Sequence, residues 1–194
     1  MNNEQLLQMY DAIRQQPDLL VKAAARKRLV NFARYMQPDL VLEPFHVVYY
    51  TLLDMFAHGK IRKMIVQQPP QHGKSEGSSR KLPAFMLGLD PDRKICIGSY
   101  AATIARDFNR DVQRIIDTPR YRELFPGTYL NGSNVVTMAN TYLRNSDVIE
   151  MVGRKGSLRV VGRGGSLTSK TVDVSILDDV YKDCLLYTSD AADE

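Results

Sequence analysis

Apolar and polar positions at the start of the chain recur with the period of an α-helix. Residues 18–36 place apolar side chains on one face and basic side chains on the other, and Pro38 ends the segment. The basic face fits either a solvated face of a packed helix or a surface that lies on DNA. Pro44 at a first turn and Gly59 just past the end bracket a second helix over residues 45–58.

The rest of the chain alternates short apolar runs with further helical patterns. The predicted strands are residues 61–66, 94–100, 147–152, 158–161 and 172–177, and the predicted helices are residues 74–87 and 103–117. The turn chemistry of Gly153-Arg154-Lys155-Gly156 predicts a hairpin between the third and fourth strands. A β-α-β-α order predicts an α/β fold with a doubly wound, mainly parallel sheet, whose ligand lies at the carboxyl ends of the strands.

One octapeptide, QPPQHGKS over residues 68–75, follows the first apolar run. Gly73 lets the chain turn, and Lys74 and Ser75 then open a helix whose free N–H groups point at anions. In a phosphate-binding loop of this kind the lysine reaches the β- and γ-phosphates and the serine hydroxyl coordinates Mg²⁺. The usual pattern begins with glycine, where this chain has Gln68, so a polar turn before a surface helix is the alternative interpretation.

An acidic pair, Asp178-Asp179, follows the last apolar run. One carboxylate at such a position holds Mg²⁺ through its water shell, and the next can orient and deprotonate an attacking water. Taken alone, the pair also fits an exposed turn. Because it follows the octapeptide by about a hundred residues, in the order of an NTPase site, the two motifs together predict a nucleotide site.

These residues, and several between them, resemble the N-terminal ATPase domain of the tailed-phage terminase large subunit. The similarity runs from Leu40 to Asp183. The segments that carry it are PPQHGKSE (69–76), LPAFMLG (82–88), KICIGSY (94–100), YRELFP (121–126), GRGGSLTS (162–169) and DDVYKD (178–183), with Ala102, Ala105, Phe108 and Arg110 on an intervening helix.

The resemblance implies a P-loop NTPase fold of the RecA-like (ASCE) type, incomplete at the C-terminus, and an ATPase that translocates viral double-stranded DNA into the prohead. It implies ATP and Mg²⁺ as cofactors, with Lys74, Asp178 and Asp179 as catalytic residues and Ser75 and Asp178 on the metal. The residues expected to bind the cofactor are Gln68, Pro69, Pro70, Gln71, His72, Gly73, Lys74, Ser75 and Glu76, with Phe45 and His46 as candidate adenine contacts; core packing is the alternative for Phe45.

The chain departs from the family pattern at two of these positions. Gln71 stands where many relatives carry an arginine that acts on the γ-phosphate, so another arginine or a neighbouring subunit would supply that charge. Asp179 stands where most such ATPases use glutamate, and its shorter side chain must approach the water more closely. A helicase-like P-loop ATPase and a nucleotide-binding module without turnover are the alternative functions.

The partners that the resemblance implies are double-stranded DNA, the small terminase subunit, the portal protein and further copies in a ring, with no membrane. The family's endonuclease activity would belong to a C-terminal domain absent from this sequence. No apolar run is long enough to span a bilayer and no signal core opens the chain, so the host cytoplasm during infection is the expected location. Cys96, Cys184 and three dispersed histidines suggest neither a disulfide framework nor a metal cluster.

The last eleven residues, 184–194, can be written as the in-frame translation of a transposase-type sequencing adapter. We therefore expect an N-terminal helical segment over residues 1–43, an ATPase core over residues 44–183 and an artefactual tail over residues 184–194 that adds nothing to the core. The net charge is +4; residues 1–183 alone hold 26 basic and 19 acidic residues, a net charge of +7. A basic surplus is typical of proteins with polyanionic partners, although many other domains share it.

Overall fold

The computed structural model describes residues 17–134, 141–165 and 171–181. Residues 1–16, part of the glycine-rich segment (166–170) and the proposed tail (184–194) lie outside these ranges. The helices are α1 (Pro17–Lys27), α2 (Leu29–Met36), α3 (Pro44–Ala57), α4 (Leu82–Leu89), α5 (Ala102–Asp117) and α6 (Pro119–Leu124), with a π-helical turn over Glu76–Lys81; the strands are β1 (Lys94–Ser99), β2 (Val148–Glu150), β3 (Ser157–Gly162) and β4 (Val174–Asp178).

The four strands form a mixed sheet in the order β2-β3-β1-β4. β1 runs parallel to both β3 and β4, whereas β2 is antiparallel to β3. Ile97, Val160 and Ile176 share one face, which is buried under the helices. On the opposite face Leu177 is 70% exposed. The fold class is therefore α/β as predicted, but the described sheet is not clearly doubly wound.

The strand predicted over residues 61–66 is wrong, because these residues form no ladder in the structure. Met64 and Val66 do pack against the core, while Ile65 is 91% exposed, so the alternation that suggested a strand is real. A cavity of about 410 Å³ is lined both by this segment and by the residues of β4. Alternating burial without a hydrogen-bonded neighbour does not make a strand.

The helix predicted over residues 18–36 is instead two helices, α1 and α2, separated at Arg28. Asp54, a buried residue of α3, accepts a hydrogen bond from Leu29 N (2.9 Å) and another from Arg28 Nη1 (2.9 Å). This carboxylate caps α2 from a neighbouring helix and replaces the intrahelical bond that a continuous helix would make at Leu29. A tertiary contact thus overrides the helical period.

The basic face of α1 makes contacts within the molecule. Arg26 donates hydrogen bonds to Leu124 O (2.8 Å) and Glu123 O (2.7 Å) at the end of α6. Lys22 lies 2.7 Å from a carboxylate oxygen of Glu123. These contacts favour a packed helix over a DNA-binding surface for this part of the face.

The central helices and the hairpin follow the predicted pattern closely. α3 and α5 begin and end within a residue of their predicted bounds. Gly153 takes a left-handed φ of 73°, and Met151 N donates to Gly156 O (3.0 Å), which closes the predicted turn between β2 and β3. Within the part of the chain that the structure describes, every helix falls short of the length and apolar character that a membrane span requires.

Candidate functional site

The octapeptide forms a turn that leads directly into a helix at Lys74. Two of its residues lie in the left-handed region, Gly73 with φ 74° and Gln71 with φ 63°. His72 Nδ1 donates to Pro70 O (2.8 Å) across the turn. A non-glycine residue at positive φ stores backbone strain, and such strain is concentrated at functional sites.

The second motif follows β4 at the carboxyl end of the sheet and lies beside this turn. Lys74 Nζ is 2.5 Å from Asp179 Oδ1 and 3.5 Å from Asp178 Oδ1. The two carboxylates differ in environment, since the side chain of Asp178 is 3% exposed and that of Asp179 is 63% exposed. The structure therefore brings the three residues predicted as catalytic into one cluster.

The backbone after β4 turns sharply at Asp179. This residue has φ 44°, and its carbonyl accepts a hydrogen bond from Tyr100 N (3.1 Å), just past the end of β1. Aspartate tolerates the left-handed region better than most residues. The turn directs the carboxylate of Asp179 towards Lys74, while Asp178 stays in register beside Ser99 of β1.

The surroundings of Lys74 favour its charged form. Partial burial, the largest effect, lowers the pKa of the amino group, but the hydrogen bond to Asp179 and the charges of both aspartates outweigh it. The pKa of Lys74 is consequently raised above its usual value. A lysine held charged at a helix N-terminus is suited to binding an anion.

Tyr49 on α3 contacts the first turn of the helix that begins at Lys74. This residue was not identified from the sequence. Its hydroxyl donates to Lys74 O (2.6 Å), which also accepts from Ser78 Oγ (3.0 Å). Its ring lies against Gly77, where an added β-carbon would come within 2.6 Å of Tyr49 Cε1. Burial raises the pKa of Tyr49 to about 12. No sequence signal links Tyr49 to the turn, because the contact joins two separate helices.

A second residue missed by the sequence analysis is Ser79 in the π turn. Its Oγ donates to Asp178 Oδ2 (2.7 Å), and the side chain is completely buried. The available signal was its spacing, four residues after Ser75, which favours the same helix face. Ser75 itself is half-buried at the start of this helix.

The two aromatic candidates lie beside the turn. A β-carbon placed on Gly73 would be 3.6 Å from His46 Nε2, and the Phe45 ring is 5.7 Å from the His72 ring. His46 Nδ1 accepts a hydrogen bond from Glu43 N (3.0 Å), which fixes the orientation of the ring. Phe45 is 43% exposed, so core packing does not account for it.

The donor set beside Asp178 suits a cation that keeps water and phosphate ligands. The described residues contain no group of three or more histidine, cysteine or acidic side chains that could enclose a metal ion. Mg²⁺ in nucleotide sites needs no such group, since one or two carboxylates and the phosphates suffice. The hydroxyl of Ser99, beside Asp178 in the sheet, is buried without a hydrogen-bond partner among the described residues. That orphaned polar atom fits a site that is completed by a ligand or its water.

The glycine-rich segment is described only up to residue 165, at the end of β3. The guanidinium of Arg163 lies 5.5 Å from the centre of the Tyr181 ring. Of the DDVYKD segment, Lys182 and Asp183 fall outside the described residues.

Comparisons of this chain with protein-family models, with curated proteins and with solved structures found no match.

Proposed function

We propose that this protein binds ATP with Mg²⁺ between the turn of residues 68–76 and the carboxyl end of β4, and hydrolyses it. The observation that carries the proposal is the contact of Lys74 Nζ with Asp179 (2.5 Å) and its approach to Asp178 (3.5 Å). A phosphate-loop lysine beside an acidic pair at the carboxyl end of a parallel strand is typical of P-loop NTPase sites. It joins two motifs that the sequence separates by about a hundred residues.

Each residue in the cluster has a distinct part in this proposal. Lys74 exchanges its carboxylate partners for phosphate oxygens, and the N–H groups at the start of the helix hold the same anion. Ser75 and Asp178 would hold Mg²⁺, and the cation would neutralise charge on the phosphates. Asp179, exposed and held at a strained turn, orients the attacking water and accepts its proton. Positioning and charge stabilisation supply most of the catalysis in such reactions.

A finer assignment rests on the resemblance to the terminase large subunit. The parallel strands β3, β1 and β4, with the turn and the acidic pair at one end, are compatible with a P-loop NTPase core. We therefore propose that the protein is a DNA-packaging motor subunit that acts in the host cytoplasm. Its proposed partners are double-stranded DNA, the small terminase subunit, the portal protein and further copies of itself. The proposal includes Phe45 and His46 as adenine contacts, and it is supported by the position of the Phe45 ring beside His46 and beside His72 of the turn.

Nucleotide binding is the decisive test. Titration of the protein with a fluorescent ATP analogue, in Mg²⁺ and again in EDTA, should show saturable binding that is stronger with the metal. ATP hydrolysis, measured with and without linear double-stranded DNA, then separates the functions: stimulation by DNA supports a translocase, and binding without turnover supports a regulatory module. Absence of binding at millimolar ATP would refute the nucleotide site.

A further inference from the structure

The buried hydroxyl of Ser79 contacts the acidic pair directly, although Ser79 is not in the proposed catalytic set. Its Oγ lies 2.7 Å from Asp178 Oδ2, and the two residues are 0% and 4% exposed. A buried carboxylate without hydrogen-bond donors is unfavourable, and this hydrogen bond supplies a donor to Asp178 in its observed orientation. Ser79 is therefore a direct partner of the carboxylate that ends β4.

The two carboxylate oxygens of Asp178 have different neighbours. Oδ2 accepts from Ser79, whereas Oδ1 is the oxygen that lies 3.5 Å from Lys74 Nζ. A carboxylate held at one oxygen cannot rotate freely about its terminal bond, so Oδ1 stays directed towards the phosphate-binding turn. That is the oxygen available to a cation at the site.

The π turn places Ser79 in this position. Leu82 N donates to Gly77 O, five residues earlier, so the helix accommodates an extra residue between the turn and α4. Lys81 Nζ lies 2.6 Å from Glu76 Oε1, and Arg80 Nε lies 2.7 Å from Asp111 Oδ2 on α5. The first ion pair lies within the π turn, and the second connects the turn to α5. Single π turns inside α-helices occur frequently at functional sites.

We propose that Ser79 is a positioning residue that holds the Asp178 carboxylate ready for Mg²⁺, an inference that rests on the proposed function of Asp178 as a metal ligand. Partners that orient a metal-binding side chain typically change metal affinity by about 10- to 100-fold when they are removed. Ser79→Ala should thus raise the Mg²⁺ concentration needed for half-maximal ATP binding by about tenfold or more. Binding of ATP in EDTA should be unchanged.

The test is a Mg²⁺ titration of ATP binding to the full chain, followed by fluorescence, with thermal unfolding of each variant. Ser157→Ala is the matched control, because it removes the same atom from a buried serine at the opposite end of the sheet. Ser79→Thr, which keeps the hydroxyl, should retain a Mg²⁺ requirement closer to that of the unaltered protein than Ser79→Ala does.

The possible outcomes distinguish a failure of the positioning role of Ser79 from a failure of the proposed nucleotide-binding function. If the unaltered protein shows no Mg²⁺-dependent ATP binding, the proposed function fails and the inference fails with it. If that binding is present and Ser79→Ala shows the same Mg²⁺ midpoint, only the positioning role is overturned. An equal loss of ATP binding with and without Mg²⁺, together with a lowered melting temperature, also overturns it, because that pattern belongs to a purely structural residue.

Discussion

Lys74 is the residue whose removal tests the site most directly. Lys74→Ala deletes the amino group that lies 2.5 Å from Asp179 Oδ1 and 3.5 Å from Asp178 Oδ1. The backbone N–H groups at the helix start are untouched, and alanine is the residue most favourable to a helix. The substitution should therefore remove the charge that binds phosphate while the turn and helix remain.

The magnitude follows from the two contacts. A hydrogen bond to a charged partner contributes about 1.5–3 kcal/mol, which corresponds to roughly 10- to 150-fold weaker ATP binding at about 1.4 kcal/mol per factor of ten. The ion pair with Asp179 adds little to stability, since that side chain is 63% exposed. Asp178 loses its nearest cation but keeps the bond from Ser79. We expect the free energy of unfolding to fall by about 1–2 kcal/mol in total.

The assay pairs an ATP-binding titration with urea unfolding, and Lys60→Ala serves as the matched control. Lys60 is an exposed lysine just beyond α3, outside the cluster. Its replacement should leave both binding and stability close to those of the unaltered protein. Undiminished ATP affinity in Lys74→Ala would refute the assignment of the turn as a phosphate site. Loss of the folded state altogether would show that Lys74 serves the core rather than a ligand.

Further predictions concern the acidic pair and the packing of Tyr49 against Gly77. Asp178→Ala should weaken Mg²⁺-dependent ATP binding, whereas Asp179→Asn should bind ATP and Mg²⁺ but lose turnover; equal binding defects in a titration would contradict this division. Gly77→Ala should lower the free energy of unfolding by about 1–3 kcal/mol, because its β-carbon would come within 2.6 Å of Tyr49 Cε1; an unchanged urea midpoint would count against it. The pKa of Tyr49 is raised from 10.0 to about 12, so the stability it contributes is present below pH 10 and lost as the pH rises towards 12. Tyr49→Phe should reduce that loss in alkaline unfolding curves, and identical curves would show that another group is responsible.

Local patterns predicted the elements that depend on local chemistry. The hairpin at residues 153–156 and the helix α5 appear where turn residues and helical period put them. The order of the two motifs also predicted that Lys74 would lie beside the acidic pair, and the two are in contact although the strand expected before the turn does not form.

The predictions failed where distant partners decide the conformation. The period across Arg28 is helical, but the carboxylate of Asp54 ends one helix and starts the next. Residues 61–66 alternate as a strand would, yet they have no ladder with a neighbour. The π turn and the contact of Ser79 with Asp178 were not predicted, because Asp178 lies about a hundred residues further along the chain and Asp111, which pairs with Arg80 of the turn, belongs to α5.

The outer edge of β4 affects how the protein behaves at high concentration. Among the described strands β4 pairs only with β1, so its other side is an edge of the sheet, and sheet edges can pair with an extended chain. If two copies joined antiparallel about Ile176, Asp173 of each would face Asp179 of the other. Like charges directly opposite one another disfavour such pairing. The same carboxylate that is proposed to activate water would thus also oppose the pairing of two copies along this edge.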